Sequence, residues 1–338
     1  MGERLTFPPN TVALVTGATG FTGSVLINKL CECGIRVRAI ARSSSKRDAL
    51  QGLPIEWIVG NVYDPETVER AVTGVDFIFH VAAAYREAGI TDDIYRKVHL
   101  DSTRLLAQAA LKNPDFKRFV HISTVGVHGH IENPPANESY PFSPGDVYQQ
   151  TKADAELWLR DFAPKNGLPF TIIRPAAIYG PGDRRLLKIF KMASWPFFPV
   201  LGRARGQLYH LIHVEDLTGI FIQAALHPKA QGEVFIGGDP QALALADIVS
   251  IIRSEYGRKA RMIRIPAWPF FWMAGICETV CRPFGIAPPL YKRRVAFFTK
   301  DRSFDTSKLR NLLDFQYSRT TEQGLRETAR WYRDHGWT

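Results

Sequence analysis

Thr11-Val12-Ala13-Leu14-Val15-Thr16-Gly17-Ala18-Thr19-Gly20-Phe21-Thr22-Gly23 decides the fold of this chain. Residues 11–16 are a β-branched and apolar run, as in a strand covered on both faces. Three glycines follow, and then Val25, Leu26, Lys29, Leu30 and Cys33 recur at three- and four-residue spacing, the period of a helix over 21–33. In a strand–turn–helix of this kind Gly17 permits the tight turn, Gly20 lets backbone approach a pyrophosphate, and Gly23 lets helix pack on strand. Phosphates then meet the unpaired N–H groups at the helix start, so Thr19, Phe21 and Thr22 join the glycines as dinucleotide-binding candidates.

The alternation continues outward. Strands read at 35–41, 55–59, 76–80, 117–123 and 169–174, and helices at 65–73, 91–112 and 146–164. Such alternation implies parallel strands joined by right-handed crossovers, hence an α/β, Rossmann-type doubly wound sheet. Beyond Gly180 the pattern loosens into a basic helix, 184–193, and the Pro-broken aromatic stretch 195–199. Strand 208–213, helix 215–227 and strand 233–236 are expected to return to the main sheet. Residues 239–338 read as a smaller, mostly helical part. The expected division is a dinucleotide-binding domain of 1–183 and 207–238, and a substrate-binding part of 184–206 and 239–338.

The 338 residues are 45% hydrophobic and 22% charged, enough apolar material for a core without disulfides or metals. The formal charge of +10 admits nucleic acid, an anionic membrane surface or an anionic small molecule as partner. Dispersed basic residues, with no zinc-finger spacing and no arginine-rich tail, argue against nucleic acid. Cys31, Cys33, Cys277 and Cys281 lack the companions of a zinc site and read as reduced thiols of a cytoplasmic protein. Residues 1–10 carry no apolar export signal.

Two further motifs bear on chemistry. The second strand ends at Arg42, with Lys46 and Arg47 close behind, where an NAD-specific site places a carboxylate for the ribose 2′-hydroxyl. Cations there attract a 2′-phosphate, so NADP(H) is expected, with NAD(H) as the alternative. Tyr148 and Lys152 stand four apart at the start of a helix, on one face. An ammonium beside a phenol favours the phenolate, which suits Tyr148 to exchange a proton with a substrate oxygen. Strand five ends in Ser123-Thr124, at the sheet edge where doubly wound folds bind ligands.

The TGxxGxxG and YxxxK motifs resemble the extended branch of the short-chain dehydrogenase/reductase superfamily, over essentially the whole sequence. The resemblance implies that Tyr148 and Lys152 also contact the cofactor, with Lys152 holding the nicotinamide ribose. Aligning Val127-His128-Gly129 with the family's VYG places Thr124, not Ser123, against the substrate oxygen. Gly60-Asn61-Val62-Tyr63-Asp64 is similar to the turn that meets adenine, with Asn61 in place of the usual aspartate. Val81, Ala82 and Ala83 let the backbone pass close to the cofactor, and Pro175, Ala177 and Ile178 lie in the RPxxxYGP stretch that closes over the nicotinamide. His213-Val214-Glu215-Asp216 resembles the HVxD turn. His99 stands where many relatives carry an asparagine that organises a water near the lysine; it either does the same or packs. Relatives often form homodimers through helices like 91–112 and 146–164.

Three substrate classes compete. A nucleotide-sugar dehydratase needs an acid and a base after Thr124, where Val125 and Gly126 stand. An epimerase usually has asparagine at Ala177 and an Arg-Asp pair in place of Tyr209-His210-Leu211-Ile212. The aromatic second half (Trp195, Phe197, Phe198, Trp268, Phe270, Phe271, Trp272) suits a hydrophobic substrate. That half, through Phe298 to Asp305 and Gly324 to Tyr332, resembles the 3β-hydroxysteroid and sterol-4-carboxylate dehydrogenases, with dihydroflavonol reductases nearby. The resemblance implies hydride exchange at a ring secondary alcohol or ketone. A dinucleotide sensor without catalysis would lack Tyr148 or Lys152. Residues 266–277 are uncharged and too short to span a bilayer. Arg258, Lys259, Arg261 and Arg264 precede them and Lys292, Arg293 and Arg294 follow, so they suit either peripheral contact with an anionic membrane or a core helix.

Overall fold

Strands that are apolar on both faces can only be stable inside a sheet covered by helices on each side, and that is how this chain arranges them. The computed structural model describes residues 5–84, 91–203, 205–259, 261–281, 295 and 299–338. Six strands, β1 (Val12–Thr16), β2 (Arg36–Ala41), β3 (Ile55–Val59), β4 (Phe77–His80), β5 (Arg118–Ile122) and β6 (Phe170–Pro175), join the strand Val234–Gly237 in one seven-stranded sheet. From one edge the order is Val234–Gly237, β6, β5, β4, β1, β2, β3, with every neighbouring pair parallel. The chain reverses direction across the sheet beside β1, and ligands of such sheets bind beyond the carboxyl ends there.

The helices in chain order are α1 (Phe21–Glu32), α2 (Pro65–Val72), α3 (Asp92–Arg96), α4 (Ser102–Ala110), α5 (Val147–Lys165), α6 (Leu187–Ala193), α7 (Val214–Leu226), α8 (Leu245–Glu255) and α9 (Trp268–Cys281), followed by Ser307–Leu313 and Thr321–Asp334. On one face Leu26, Ile27 and Leu30 of α1 and Ile220 and Phe221 of α7 pack with Val15, Val37 and Phe79. On the other, Leu106 of α4 and Leu159 of α5 pack with Leu14, Ile78 and Phe119. A third core holds Phe190, Phe198, Ile248, Ile252, Leu325 and Tyr332 in the C-terminal helical region.

Two expectations need correction. The stretch 208–213 does not enter the main sheet. Leu208–Tyr209 pairs antiparallel with Leu243–Ala244, and Leu211–His213 pairs parallel with Ala177–Tyr179. His210 separates them, because its Nε2 donates to Asp239 O at 2.7 Å and its Nδ1 accepts the Phe304 N–H at 3.1 Å. The helix expected at 91–112 is interrupted by a π turn at Lys97–Asp101 between α3 and α4.

Among the described residues, α9 buries only Ala274, while Trp268, Trp272 and Ile276 are 67%, 71% and 60% exposed, which weighs against the core-helix alternative for 266–277. No helix among the described residues is long and apolar enough to cross a membrane. Lys292, Arg293, Arg294 and Phe298 lie outside the described residues.

Candidate active site

The glycine turn has the shape its spacing demands. Gly17 adopts φ +70°, and a Cβ there would lie 2.8 Å from the Ala82 backbone. A Cβ on Gly23 would lie 2.1 Å from Gly17 O, so any side chain would push α1 off β1. Gly20 donates its N–H to Gly17 O at 3.0 Å and caps α1 with no side chain over the helix end. Ser24 makes the first helical bond, to Gly20 O, so the N–H groups of Phe21, Thr22 and Gly23 precede the helical ladder. An uncovered positive helix end behind a side-chain-free turn fits a pyrophosphate.

Other candidates from the sequence come to the same edge. Arg42 follows β2 and is exposed, as is Lys46; Arg47 lies over the Trp57 ring at 4.8 Å. Asn61, half-buried after β3, accepts the Asp64 N–H on its backbone oxygen, and Val62 packs against the core. Val81, Ala82 and Ala83 follow β4, and Ala177 and Ile178 follow Pro175 at the end of β6.

The segment after β4 is held by a polar chain that sequence reading missed. Thr16 Oγ1 accepts the Ala82 N–H at 3.2 Å and lies 2.8 Å from His80 Nδ1. His80 Nε2 lies 3.0 Å from Ser102 Oγ, which donates to Val98 O. Because Ser102 spends its proton on a carbonyl, His80 carries hydrogen on Nε2 and accepts from Thr16 on Nδ1. Burial, with the Lys152 charge adding to it, drives the His80 pKa down to about 3 and keeps the ring neutral.

Asp146 caps α5 by accepting the Gln149 N–H at 2.9 Å, which sets Tyr148 in the first turn and Lys152 one turn deeper. Tyr148 is half-buried; Lys152 is buried and donates Nζ to Ile122 O at 2.8 Å, with Ala82 O at 3.5 Å. The ammonium therefore braces the ends of β5 and β4 together. Burial pushes the Lys152 pKa down to about 7, against the pull of Glu156 in the other direction.

Thr124 and Ser123 have opposite fates. Ser123 is buried and donates its hydroxyl to Glu156 Oε2 at 2.7 Å. Thr124 is half-buried and accepts the Gly126 N–H at 3.0 Å. Glu156 in turn pairs with Arg174, both fully buried. Arg174 also donates to Glu138 O at 2.7 Å and to His128 Nε2 at 3.1 Å. This network ties β6 and α5 to the loop that follows Thr124. One signal for it lay in the sequence: Tyr148, Lys152 and Glu156 recur every four residues, which puts a second charge on the buried stripe of α5.

His213 of the HVxD turn caps α7, accepting the Glu215 N–H at 3.2 Å, and Asp216 accepts from the Ser318 N–H and hydroxyl. Both join the main sheet's helices to the C-terminal region. Surface cavities of about 370 and 550 Å³ around Pro240 are lined mostly from that region, the first also by Pro135, and neither takes in Tyr148 or Lys152.

Comparison with known proteins identifies the family of the chain. The model of the NAD dependent epimerase/dehydratase family matches residues 13–237. The chain belongs to this family. Among curated relatives, a putative dihydroflavonol 4-reductase of Synechocystis sp. is 30% identical over 96% of this chain and 95% of its own length. A 3-beta-hydroxysteroid dehydrogenase of Mycolicibacterium neoaurum is 28% identical over 95% of this chain and 91% of its own. The crystal structure of gox2253 superposes with a TM-score of 0.84 at 28% identity, covering 97% of this chain and all of that one. As a member of the epimerase/dehydratase family, the protein is an NAD(P)-dependent enzyme acting on CH–OH groups.

Proposed function

We propose that this member of the family is an NADP(H)-dependent oxidoreductase that exchanges hydride at a secondary alcohol or ketone of a hydrophobic, sterol-like substrate. The observation that carries the reading is the sequestering of Ser123 by Glu156, which leaves half-buried Thr124 as the next hydroxyl after β5. The dinucleotide, when bound, supplies or receives the hydride. In the reducing direction Thr124 and Tyr148 hold the ketone oxygen, and Tyr148 gives it a proton as it becomes an alcohol. The negative charge left on Tyr148 favours the ammonium form of Lys152 one helical turn away, which stabilises the phenolate until it regains its proton from solvent. Gly17, Gly20 and Gly23, with the N–H groups of residues 21–23, would hold the pyrophosphate. Arg42 and Lys46, exposed after β2, would hold a 2′-phosphate.

Residues 184–206 and 239–338 are the proposed substrate-binding part. The 3-beta-hydroxysteroid dehydrogenase relative and the aromatic content of this part support an apolar ring substrate. Ala177, which cannot hydrogen-bond a sugar through its side chain, weighs against a nucleotide-sugar epimerase. Exposed Trp268, Trp272 and Ile276 on α9, with exposed Arg258, Lys259, Arg261 and Arg264 before it, support peripheral contact with an anionic bilayer. Flotation with anionic liposomes tests that contact, and a protein left in the soluble fraction contradicts it. The test of the main reading crosses NADPH and NADH with a 3-ketosteroid, a dihydroflavonol and a UDP-sugar, followed at the nicotinamide absorbance. NADPH oxidation with the ketosteroid is expected. Conversion of the UDP-sugar with no net cofactor oxidation would overturn it.

A further inference from the structure

His99 lies in the π turn between α3 and α4 and is fully buried. Turns of this kind recur at functional sites. Its Nε2 accepts the Ala84 N–H at 3.1 Å. Its Nδ1 lies 2.8 Å from Thr151 Oγ1, whose own proton goes to Val147 O at 2.8 Å. Only the neutral ring with hydrogen on Nδ1 satisfies these partners together. Burial, helped by the Lys152 charge, takes its pKa down to about 2, so this form persists across the working pH range. The ring also meets Tyr148 edge-on, with centroids 5.3 Å apart and planes at 86°. Tyr95 meets Tyr148 at 6.4 Å and 81° and His99 at 5.9 Å, so the three rings form one mutually packed cluster.

Both nitrogens are therefore committed, and neither has a free lone pair or proton for a water beside Lys152. That is the role expected of an asparagine at this position. We propose instead that His99 is a positioning residue with two separable tasks. Through Nδ1 and its ring it fixes Tyr148, with Thr151, on α5. Through Nε2 it fixes the Ala82–Ala84 segment, which lies against the Gly17 turn and receives Lys152, where the dinucleotide would rest. This role rests on the proposed reductase reading.

Asparagine at this position reproduces the place of Nδ1, and glutamine reproduces the place of Nε2. The variants His99→Asn and His99→Gln therefore separate the two tasks. Dinucleotide binding is read by fluorescence titration of the protein without substrate, and kcat is read at saturating cofactor. His99→Gln is expected to bind NADPH within about twofold of wild type and to lose about tenfold in kcat, the worth of one hydrogen bond. His99→Asn is expected to bind NADPH about tenfold more weakly, with kcat within about threefold of wild type. Thr151→Val removes the Nδ1 partner alone and should behave as His99→Gln does, which covers a histidine variant that fails to fold. If binding and kcat fall together in every variant, or stay within about twofold in all of them, the proposal is overturned. A wild-type protein that binds neither NADPH nor NADH overturns the reductase reading as well. Wild-type binding without a split between the variants overturns the role of His99 alone.

Discussion

Ser123 Oγ donates to Glu156 Oε2 at 2.7 Å, and both residues are buried, so the first hydroxyl after β5 faces a carboxylate inside the protein. Thr124, one residue later, is half-buried, and its hydroxyl accepts only the Gly126 N–H among the described residues. Thr124→Ala should therefore lower kcat/KM about 10²-fold or more, the scale of losing a donor to the reacting oxygen. Ser123→Ala should leave kcat/KM within about threefold of wild type and cost on the order of 1 kcal/mol of stability. Steady-state kinetics and thermal melts of the two variants check this. Equal kinetic losses would reverse the assignment.

Glu156 and Arg174 are fully buried and paired. Removing one partner strands the other charge, so Glu156→Ala should destabilise the fold by about 3–5 kcal/mol. Denaturant unfolding measures this. Glu156→Gln keeps the hydrogen-bond shape and should lie between wild type and Glu156→Ala.

Buried Lys152 costs the folded state stability. Its pKa is about 7 in the folded protein against an ordinary 10.5. Between those values the unfolded chain holds a proton that the folded one has shed, so stability rises with pH across that window. Below pH 7 both states are charged, and the folded state bears the full desolvation cost. Lys152→Met should abolish turnover while raising stability by about 1 kcal/mol or more at pH 6. The gain should shrink as pH approaches 10.5. Melting curves of the ligand-free variant and wild type at both pH values test the trend.

The buried histidines set the acid limit. His80 and His213 sit near pKa 3 and His99 near 2, each pushed down from 6.5 by burial first. Below 6.5 the unfolded chain takes up protons that the folded one refuses, so stability falls as pH drops towards 3. The expected loss is on the order of 2 kcal/mol per histidine by pH 5. Buried Asp239, its pKa raised by burial to about 7, contributes in the opposite direction. Thermal midpoints of an Asp239→Asn variant that do not fall between pH 7 and 4.5 would therefore contradict the assigned neutral rings.

Much of the fold was legible because it is local. The Gly17–Gly23 turn, the apolar strands and the four-residue step from Tyr148 to Lys152 each follow from a short stretch of chain. What escaped depends on register and distant partners. Thr16, His80 and Ser102 meet only because β1 lies beside β4 and Ser102 directly follows the π turn. The split of 208–213 depends on His210 bonding to Asp239 and Phe304, one of them 94 residues away. His99 was legible as a departure from the family, but its two partners come from separate elements and no spacing reveals them.

Tyr148 is proposed as the proton-exchanging group of a site whose hold on the dinucleotide rests mainly on other residues. The most direct test of this role is Tyr148→Phe, with NADPH affinity and ketone reduction measured on the same preparation. NADPH binding within about threefold of wild type and turnover reduced by about 10²–10⁴-fold are expected. A variant that binds NADPH and keeps full turnover would contradict the role.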